Sequence, residues 1–261
     1  MLQINAVKAF QDNYLWVIHA TGDTRACVVD PGDAEPVLAF LEQQGLQLEA
    51  IFTTHHHADH IGGIDTLLAC HPVPVYGPAT PRIPQVTIAV AEGDSVTICG
   101  QRFAVLAVPG HTRDHLAYIS QDAVTPAGPA LFCGDTLFAG GCGRMFEGTP
   151  PVMHSSLRKL AALPATTQVY CAHEYTLANL RFAQAVMPGN SALEQRIARD
   201  TATRQRDEAT VPSSIGLELA TNPFLRCQDP EVIAAVSAQQ PTAAHDGATV
   251  FGLLRAWKDR F

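Results

Sequence analysis

The chain has 261 residues, and 47% of them are hydrophobic, which suffices for a packed core and excludes wholesale disorder. Its formal net charge of −8 argues against a nucleic-acid enzyme, because such enzymes carry a basic surface. No apolar run approaches the roughly 20 residues of a membrane span. Residues 1–5 lack the basic head and apolar core of a signal peptide. We therefore expect a cytoplasmic protein.

Short apolar runs alternate with turns through the first 173 residues. They predict strands at 4–7, 14–19, 26–29, 51–53, 96–98, 103–108, 116–119, 131–133 and 169–171. Apolar residues at helical spacing predict helices at 36–44, 63–70 and 150–163. Strands with interspersed helices indicate an α/β layered domain.

The pattern changes after residue 173, where helical spacing dominates. The predicted helices cover 175–186, 192–210, 230–238 and 248–258. Residues 215–220 fit a short extended piece, with a helix as the alternative. We therefore expect one domain at 1–173 and a smaller, mostly α-helical domain at 174–261.

The seven cysteines show no paired spacing, and their number is odd. Most of them lie inside apolar runs, where a thiol behaves as a small buried hydrophobe. Reduced thiols are the usual state in the cytosol. Cys142 lies in a glycine-rich turn, so we expect it to be more exposed than the others.

A dense group of potential metal ligands directly follows one predicted strand. Alternate residues of an extended chain point the same way, so His55 and His57 can project together, while His56 points away. Asp59 and His60 follow where the chain must turn, and they can face a second metal ion. Several histidines with a carboxylate and few thiolates suit zinc, iron or manganese.

Three further potential ligands, His111, Asp135 and His173, each follow a predicted strand. An α/β scaffold places functional groups on loops at strand ends. Each residue alone is more often an ordinary polar group, so it is their combination with the histidine cluster that favours metal binding. We expect one metal ion to be held by the first set of ligands and a second ion by the other set, with Asp135 shared by both. The first set is His55, His57 and His111, and the second is Asp59, His60 and His173.

The sequence His-x-His-x-Asp-His, followed by His, Asp and His at these intervals, resembles the metallo-β-lactamase superfamily. Within it, the chain is similar to the hydroxyacylglutathione hydrolases, also called glyoxalase II. The segments that carry this similarity are 134–138, 141–144, 171–176, 222–226 and 258–261. The resemblance covers essentially the whole chain. It implies an αββα sandwich, with two metal ions at one edge between two sheets, and a helical C-terminal domain that binds glutathione.

The resemblance also implies an activity, the hydrolysis of S-D-lactoylglutathione to glutathione and D-lactate in methylglyoxal detoxification. The attacking group would be a metal-bridging hydroxide that Asp59 orients, and the two ions would be zinc, with iron or manganese as alternatives. Other enzymes of this fold, such as a persulfide dioxygenase or a lactonase, are the alternative. A structural zinc module is disfavoured because none of the expected ligands is cysteine.

Basic and aromatic residues would bind the glutathione moiety according to the same resemblance, namely Arg144, Tyr175, Arg255 and Lys258. Arg255 and Lys258 are three residues apart and therefore share one helix face. Their spacing alone would favour a solvated helix end, where cations complement the helix dipole. Arg144 stands where the family often has Lys, and Phe146 stands where some members have Tyr. We expect a small-molecule glutathione thioester as the partner, and no nucleic acid, membrane or protein partner.

Overall fold

The computed structural model describes residues 1–239 and 246–261, which divide into two compact units. Unit 1 comprises Met1–Ala107, Asp114–Gly134 and Tyr170–His173. Unit 2 comprises Val108–Arg113, Asp135–Val169 and Glu174–Phe261. The domain boundary that the sequence suggests after residue 173 stays a prediction.

The strands and helices follow one another in the order that the sequence predicts, with several short elements added. The strands are β1 (Leu2–Ala9), β2 (Asn13–Ala20), β3 (Arg25–Val29), β4 (Gln47–Phe52), β5 (Val75–Gly77), β6 (Ile88–Ala89), β7 (Ser95–Ile98), β8 (Gln101–Ala107), β9 (Leu116–Ser120), β10 (Ala130–Gly134), β11 (Leu137–Phe138), β12 (Gly141–Cys142), β13 (Gln168–Cys171) and β14 (Ser213–Ser214). The helices are α1 (Glu35–Gln44), α2 (Ala58–Ile61), α3 (Ile64–Cys70), α4 (Pro150–Ala161), α5 (Thr176–Val186), α6 (Ser191–Gln205), α7 (Ile215–Thr221), α8 (Pro230–Gln239) and α9 (Gly247–Lys258).

Two sheets form the frame of unit 1. The first has the order β1-β2-β3-β4-β5-β6 and is mixed, with antiparallel pairs from β1 to β3 and parallel pairs from β3 to β6. The second has the order β13-β10-β9-β8-β7, with antiparallel pairs from β7 to β10. In unit 2, β14 extends this order by pairing with Gln168 and Val169 of β13.

Aromatic side chains join the two sheets inside unit 1. Phe52 of β4 is fully buried, and its ring meets that of Tyr118 on β9 edge to face at 5.6 Å. Trp16 of β2 donates a hydrogen bond to the carbonyl oxygen of Cys171 in β13 at 3.0 Å. The other face of the first sheet is covered by apolar residues of α1 and α3, including Leu41 and Leu67. Helices and two sheets therefore form successive layers in this unit.

Unit 2 contains most of the helical segments. Residues 215–220 belong to α7, so the extended interpretation of this piece is wrong. The helix begins there because the Ser214 hydroxyl accepts a hydrogen bond from the Leu217 amide at 3.3 Å, which is a helix N-cap. The helix predicted at 192–210 ends earlier, at Gln205, since Asp207 adopts a left-handed conformation with φ of 56°.

A buried cluster of charged side chains connects α6 with α7 in unit 2. The Arg196 guanidinium lies 2.7 Å from Glu218 and 3.3 Å from Asp200, and all three side chains are buried. Burying charge is tolerated only with such pairing.

Within residues 1–239 and 246–261, no helix combines the length and the apolar character that crossing a bilayer requires.

We predict that Phe52→Ala lowers the free energy of unfolding by about 3–5 kcal/mol, because it leaves a cavity between the sheets. Ile88→Ala is the control, since Ile88 is 39% exposed and its truncation should change stability by about 0.5 kcal/mol or less. Urea unfolding of metal-free protein measures both values. Equal losses in the two variants would contradict the assignment of Phe52 to the core.

Candidate metal site and substrate cavity

The first pair of predicted ligands is positioned by a buried carboxylate at the end of β3. Asp30 accepts hydrogen bonds from the Thr54 amide and the Thr54 hydroxyl, both at 2.7 Å. Because this hydroxyl donates to Asp30, it can accept from Nδ1 of His55, which lies 3.0 Å away. His55 then presents Nε2, and this atom lies 3.1 Å from Nδ1 of His57. The two histidines therefore project together, although β4 already ends at Phe52.

Three further predicted ligands, one carboxylate and two histidines, meet in unit 1. Nε2 of His173 lies 3.3 Å from Oδ2 of Asp59, and Nε2 of His60 lies 3.4 Å from the same oxygen. The opposite nitrogens face other carboxylates: Nδ1 of His173 lies 2.8 Å from Asp12, and Nδ1 of His60 lies 3.2 Å from Asp30. Such partners fix the orientation of metal-binding imidazoles and increase their basicity. One ligand atom from each of Asp59, His60 and His173 lies within 4.8 Å of the other two, so together they can hold a metal ion.

The surroundings of Asp59 favour its ionised form. Burial by itself would raise the pKa of this carboxyl, but hydrogen bonds from His173 and His60 outweigh burial and hold the pKa well below its usual range. The Asn13 side-chain amide donates a further hydrogen bond to Oδ2 at 3.0 Å. Asp59 is therefore a carboxylate at neutral pH, as a metal ligand must be.

The remaining two predicted ligands, His111 and Asp135, lie next to each other in unit 2. Nε2 of His111 is 3.4 Å from Oδ2 of Asp135, while Nδ1 of His111 lies 2.8 Å from the carbonyl oxygen of Arg144, to which it donates. Gly143 lies between these two residues: a Cβ at that position would be 1.9 Å from the carbonyl oxygen of Asp135 and 3.1 Å from Nδ1 of His111, so only glycine leaves enough room. His111 thus turns Nε2 towards Asp135 in the same manner in which the unit 1 histidines turn theirs towards Asp59.

A cavity of about 550 Å³ in unit 2 brings His111 and Asp135 together with all four predicted substrate-binding residues. These are Arg144, Tyr175, Arg255 and Lys258. Phe138 and Phe146 add apolar surface to the lining, and the Phe146 ring lies 5.2 Å from the His111 ring, edge to face. The cavity therefore combines metal-ligand chemistry, cationic groups and aromatic surface.

The two cations of α9 form hydrogen bonds with other residues of unit 2. Arg255 is buried; it donates to the carbonyl oxygen of Cys142 at 3.1 Å and to Asp259 at 2.9 Å. Lys258 donates to the carbonyl oxygen of Ala178 at 3.0 Å. Burial, together with the nearby Arg255 charge, lowers the pKa of Lys258 to about 8. The pair is therefore not a solvated helix end.

Comparison with known proteins decides the family. Residues 9–173 match the metallo-beta-lactamase superfamily, and residues 174–261 match the family described as hydroxyacylglutathione hydrolase C-terminus. The hydroxyacylglutathione hydrolase from Cupriavidus taiwanensis is 55% identical to this chain over 270 residues. The one from Pseudomonas aeruginosa (strain LESB58) is 50% identical to it over 262 residues. Both alignments cover the whole of each chain. The chain belongs to the hydroxyacylglutathione hydrolase family.

Solved structures agree with the predicted fold class. ETHE1 from Myxococcus xanthus superposes with a TM-score of 0.65 at 24% identity, over 99% of this chain and 98% of that one. The BLEG-1 B3 metallo-beta-lactamase gives 0.62 at 24% identity, over 86% and 99%. The chain therefore has the metallo-β-lactamase fold, with two mixed sheets and a helical C-terminal region.

Two histidines beside the ligand cluster have other partners. Nδ1 of His56 lies 3.2 Å from Asp114, and Nε2 lies 2.8 Å from an Arg82 nitrogen, so both ring nitrogens are engaged. His115 stacks on His55 with 4.6 Å between ring centroids, and its Nδ1 donates to the carbonyl oxygen of Leu116 at 2.9 Å. His115 therefore packs behind a ligand.

The expectation that Cys142 is exposed is wrong. Only 5% of its surface is accessible, because β11 pairs with β12 and Arg255 covers the thiol. Burial raises the pKa of Cys142 to about 11, so the thiol stays protonated at neutral pH.

The sequence interpretation missed Asp12 and Asp30, the carboxylates that orient His173 and His60. Asp30 directly follows an apolar strand, which is the same signal that identified Asp135. Asp12 has a weaker signal, because it lies in the turn between β1 and β2, where Asp is common for conformational reasons.

We predict that Asp12→Asn weakens metal binding about 10–100-fold, because the amide cannot strengthen the basicity of His173 as the carboxylate does. Chelator competition on purified protein measures the affinity. Asp65→Asn is the matched control, since Asp65 is an exposed carboxylate on α3 that contacts Gln85. Equal affinity in the two variants would remove Asp12 from the site.

Proposed function

We propose that the chain is a two-metal thioesterase that hydrolyses S-D-lactoylglutathione to glutathione and D-lactate. The observation that carries the proposal is the shared cavity of unit 2, where His111 and Asp135 lie with Arg144, Arg255 and Lys258. A thioester of glutathione needs both halves of this lining, a metal-ligand edge for the reacting carbonyl and cations for the carboxylates of the peptide. Family membership supports the same reaction.

The metal ligands in the proposal are the seven residues found from the sequence. His55, His57, His111 and Asp135 would hold one ion, and Asp59, His60, His173 and Asp135 would hold the other. The donor set fits such ions, because imidazoles and carboxylates dominate it and further carboxylates or carbonyl groups orient the histidines. Zinc is the expected metal, with iron or manganese as alternatives, and it would supply Lewis acidity and an acidified water.

The remaining steps belong to side chains of the chain. Asp59 would accept a hydrogen bond from the attacking water and orient it towards the thioester carbonyl. Arg255 and Lys258 would bind a carboxylate of glutathione, Arg255 through the fork geometry that suits carboxylates. Arg144 and Tyr175 would position the rest of the peptide. Anchoring the non-reacting part of the substrate in this way converts binding energy into orientation of the reacting group.

The proposal extends to the organisation of the chain. Residues 1–173 would be the catalytic domain, and residues 174–261 would supply most of the glutathione contacts. The cytoplasmic location stays a prediction. So does metal identity, although a solved relative of 25% identity and TM-score 0.59 was crystallised in a di-iron-bound form.

We predict that metal-replete protein hydrolyses S-D-lactoylglutathione and that chelator treatment abolishes this activity, measured as loss of thioester absorbance. The lactoyl thioester of N-acetylcysteamine is the control substrate, since it lacks the peptide carboxylates. Its kcat/KM should be lower by about 10–100-fold or more, because each charge-assisted hydrogen bond contributes about 1.5–3 kcal/mol. No turnover of either substrate would refute the proposal and direct attention to persulfides and lactones.

We predict that KM for the glutathione thioester rises as the pH increases through about 8. The pKa of Lys258 is lowered to about 8, so its cation is present below this pH and is lost above it. In Lys258→Arg the guanidinium stays charged, so its KM should show no such rise. KM measured from pH 6.5 to 9.5 decides the matter, and parallel curves for the two proteins would contradict the role of Lys258.

A further inference from the structure

Two cysteines and a glutamate meet in unit 1, away from the histidine loop, which is the segment 55–60 that carries four of the predicted metal ligands. Sγ of Cys27 and Sγ of Cys99 are 3.5 Å apart, and both residues are buried. One carboxylate oxygen of Glu49 completes a group in which the three ligand atoms lie within 4.8 Å of one another. None of these residues belongs to the catalytic or substrate-binding sets.

Irregularities in two neighbouring parts of the fold create this cluster. The pairing of β3 with β4 shifts register between Ala26 and Cys27, which leaves Glu49 as the extra residue of β4. Such a bulge redirects a side chain. Cys99 lies in the turn between β7 and β8 with a left-handed φ of 47°, a conformation that costs energy for a non-glycine residue. Both sheets of the unit thus contribute to one small group of side chains.

The position along β4 separates this cluster from the catalytic ligands. Glu49 precedes Phe52, the last residue of β4, by three residues, and a strand rises about 3.3 Å per residue. The histidine loop begins only beyond that end. Glu49 is therefore about 10 Å along the strand from the end that leads to His55.

The geometry suits a tetrahedral cation. Zinc binds thiolates at about 2.3 Å, and a tetrahedral angle at that bond length separates two sulfurs by about 3.8 Å. The sulfurs of Cys27 and Cys99 need to move apart by only a few tenths of an ångström to match this distance.

The Glu49 carboxylate gives an independent reason for a cation. Oε1 of Glu49 lies 3.4 Å from Arg25, whereas the buried Oε2 has no hydrogen-bond partner within residues 1–239 and 246–261. An unpaired buried carboxylate oxygen costs free energy, and a cation at the cluster would satisfy it.

We propose that Cys27, Cys99 and Glu49 form a second metal site, specific for a thiophilic divalent cation such as Zn²⁺. Binding releases the two thiol protons, one of which Cys99 now directs at the carbonyl oxygen of Ile18, 3.1 Å away. Because the ligands come from β3, β4 and the β7–β8 turn, the ion cross-links the two sheets. The side chain of Glu49 is 39% exposed, so the cation reaches the site from solvent past this residue.

A disulfide between the two cysteines is the competing use of the pair. Disulfide formation requires a thiolate that reaches an oxidant. The hydrogen bond with Cys99, together with burial, raises the pKa of the Cys27 thiol, and burial of both residues restricts the access of an oxidant. Metal binding and disulfide formation give different outcomes in the experiment below.

Cobalt titration of the reduced full-length protein tests the proposal, because thiolate-to-cobalt charge transfer in the near ultraviolet reports cysteine ligands only. The histidine site contains no cysteine ligand, so the two sites are spectrally distinct. We expect the band in the wild type and in the control Cys70→Ser, whose thiol is exposed. Cys27→Ser and Cys99→Ser should lose the band and about one equivalent of bound metal, while thioester hydrolysis is retained.

Glu49→Gln is the second variant, because it keeps both thiols and removes only the charged ligand. It should bind Zn²⁺ about tenfold or more weakly, and added Zn²⁺ should raise Tm less in this variant than in the wild type. Absence of the band in reduced wild type, or its persistence in Cys27→Ser, would overturn the site. A loss of two mass units on air oxidation without metal binding would show that the pair is a disulfide instead.

Discussion

The arrangement of the histidine loop depends on one constraint, the buried carboxylate of Asp30. It accepts two hydrogen bonds from Thr54 and faces Nδ1 of His60, so one side chain orients His60 directly and His55 through the Thr54 hydroxyl. Asp30 itself adopts a left-handed φ of 52°, a strained conformation that this network compensates. A buried carboxylate without these partners would cost several kcal/mol. These contacts therefore hold the side chains of His55 and His60 in the orientations described above.

Close backbone packing supports the same loop. A Cβ on Gly32 would lie 1.8 Å from the carbonyl oxygen of Asp59, and a Cβ on Gly63 would lie 2.6 Å from the Ala34 amide nitrogen. The short helix α2, which carries Asp59 and His60, can therefore lie directly against the segment after β3. A Cβ on Gly62 would likewise lie 2.7 Å from the carbonyl oxygen of Gly32, so larger residues at the two positions after α2 would push this helix away from Asp30.

The cavity of unit 2 has a cationic lining in a chain with a negative net charge. The chain is acidic overall, yet three cations, Arg144, Arg255 and Lys258, line one cavity, where they could bind the anionic peptide of the proposed substrate. Asp259 and the Cys142 carbonyl group hold Arg255, and the ring of Phe224 lies 5.1 Å from its guanidinium carbon. Burial of Lys258 also lowers its pKa, so in the proposed reaction substrate affinity and its pH dependence would be linked through this residue.

Periodicity in the sequence predicted the principal strands and most helices, because alternating and helical spacing of apolar residues reflects burial directly. It left α7 undecided between strand and helix, and a serine N-cap decides for the helix; it also missed two-residue strands such as β6 and β12, which are too short to have a pattern. The αββα arrangement came from family resemblance, since periodicity does not reveal how sheets pack.

The sequence alone determined the seven metal-ligand candidates, because ligand chemistry and spacing are local properties of the chain, and its resemblance to a known family indicated the reaction class. Only the tertiary structure decided which carboxylates orient those ligands, that Cys142 is buried, and that Cys27, Cys99 and Glu49 meet. These facts depend on contacts between residues that are far apart in the chain. A strand bulge, a left-handed turn and the packing of one sheet on another brought Cys27, Cys99 and Glu49 together, and none of these features has a reliable sequence signal.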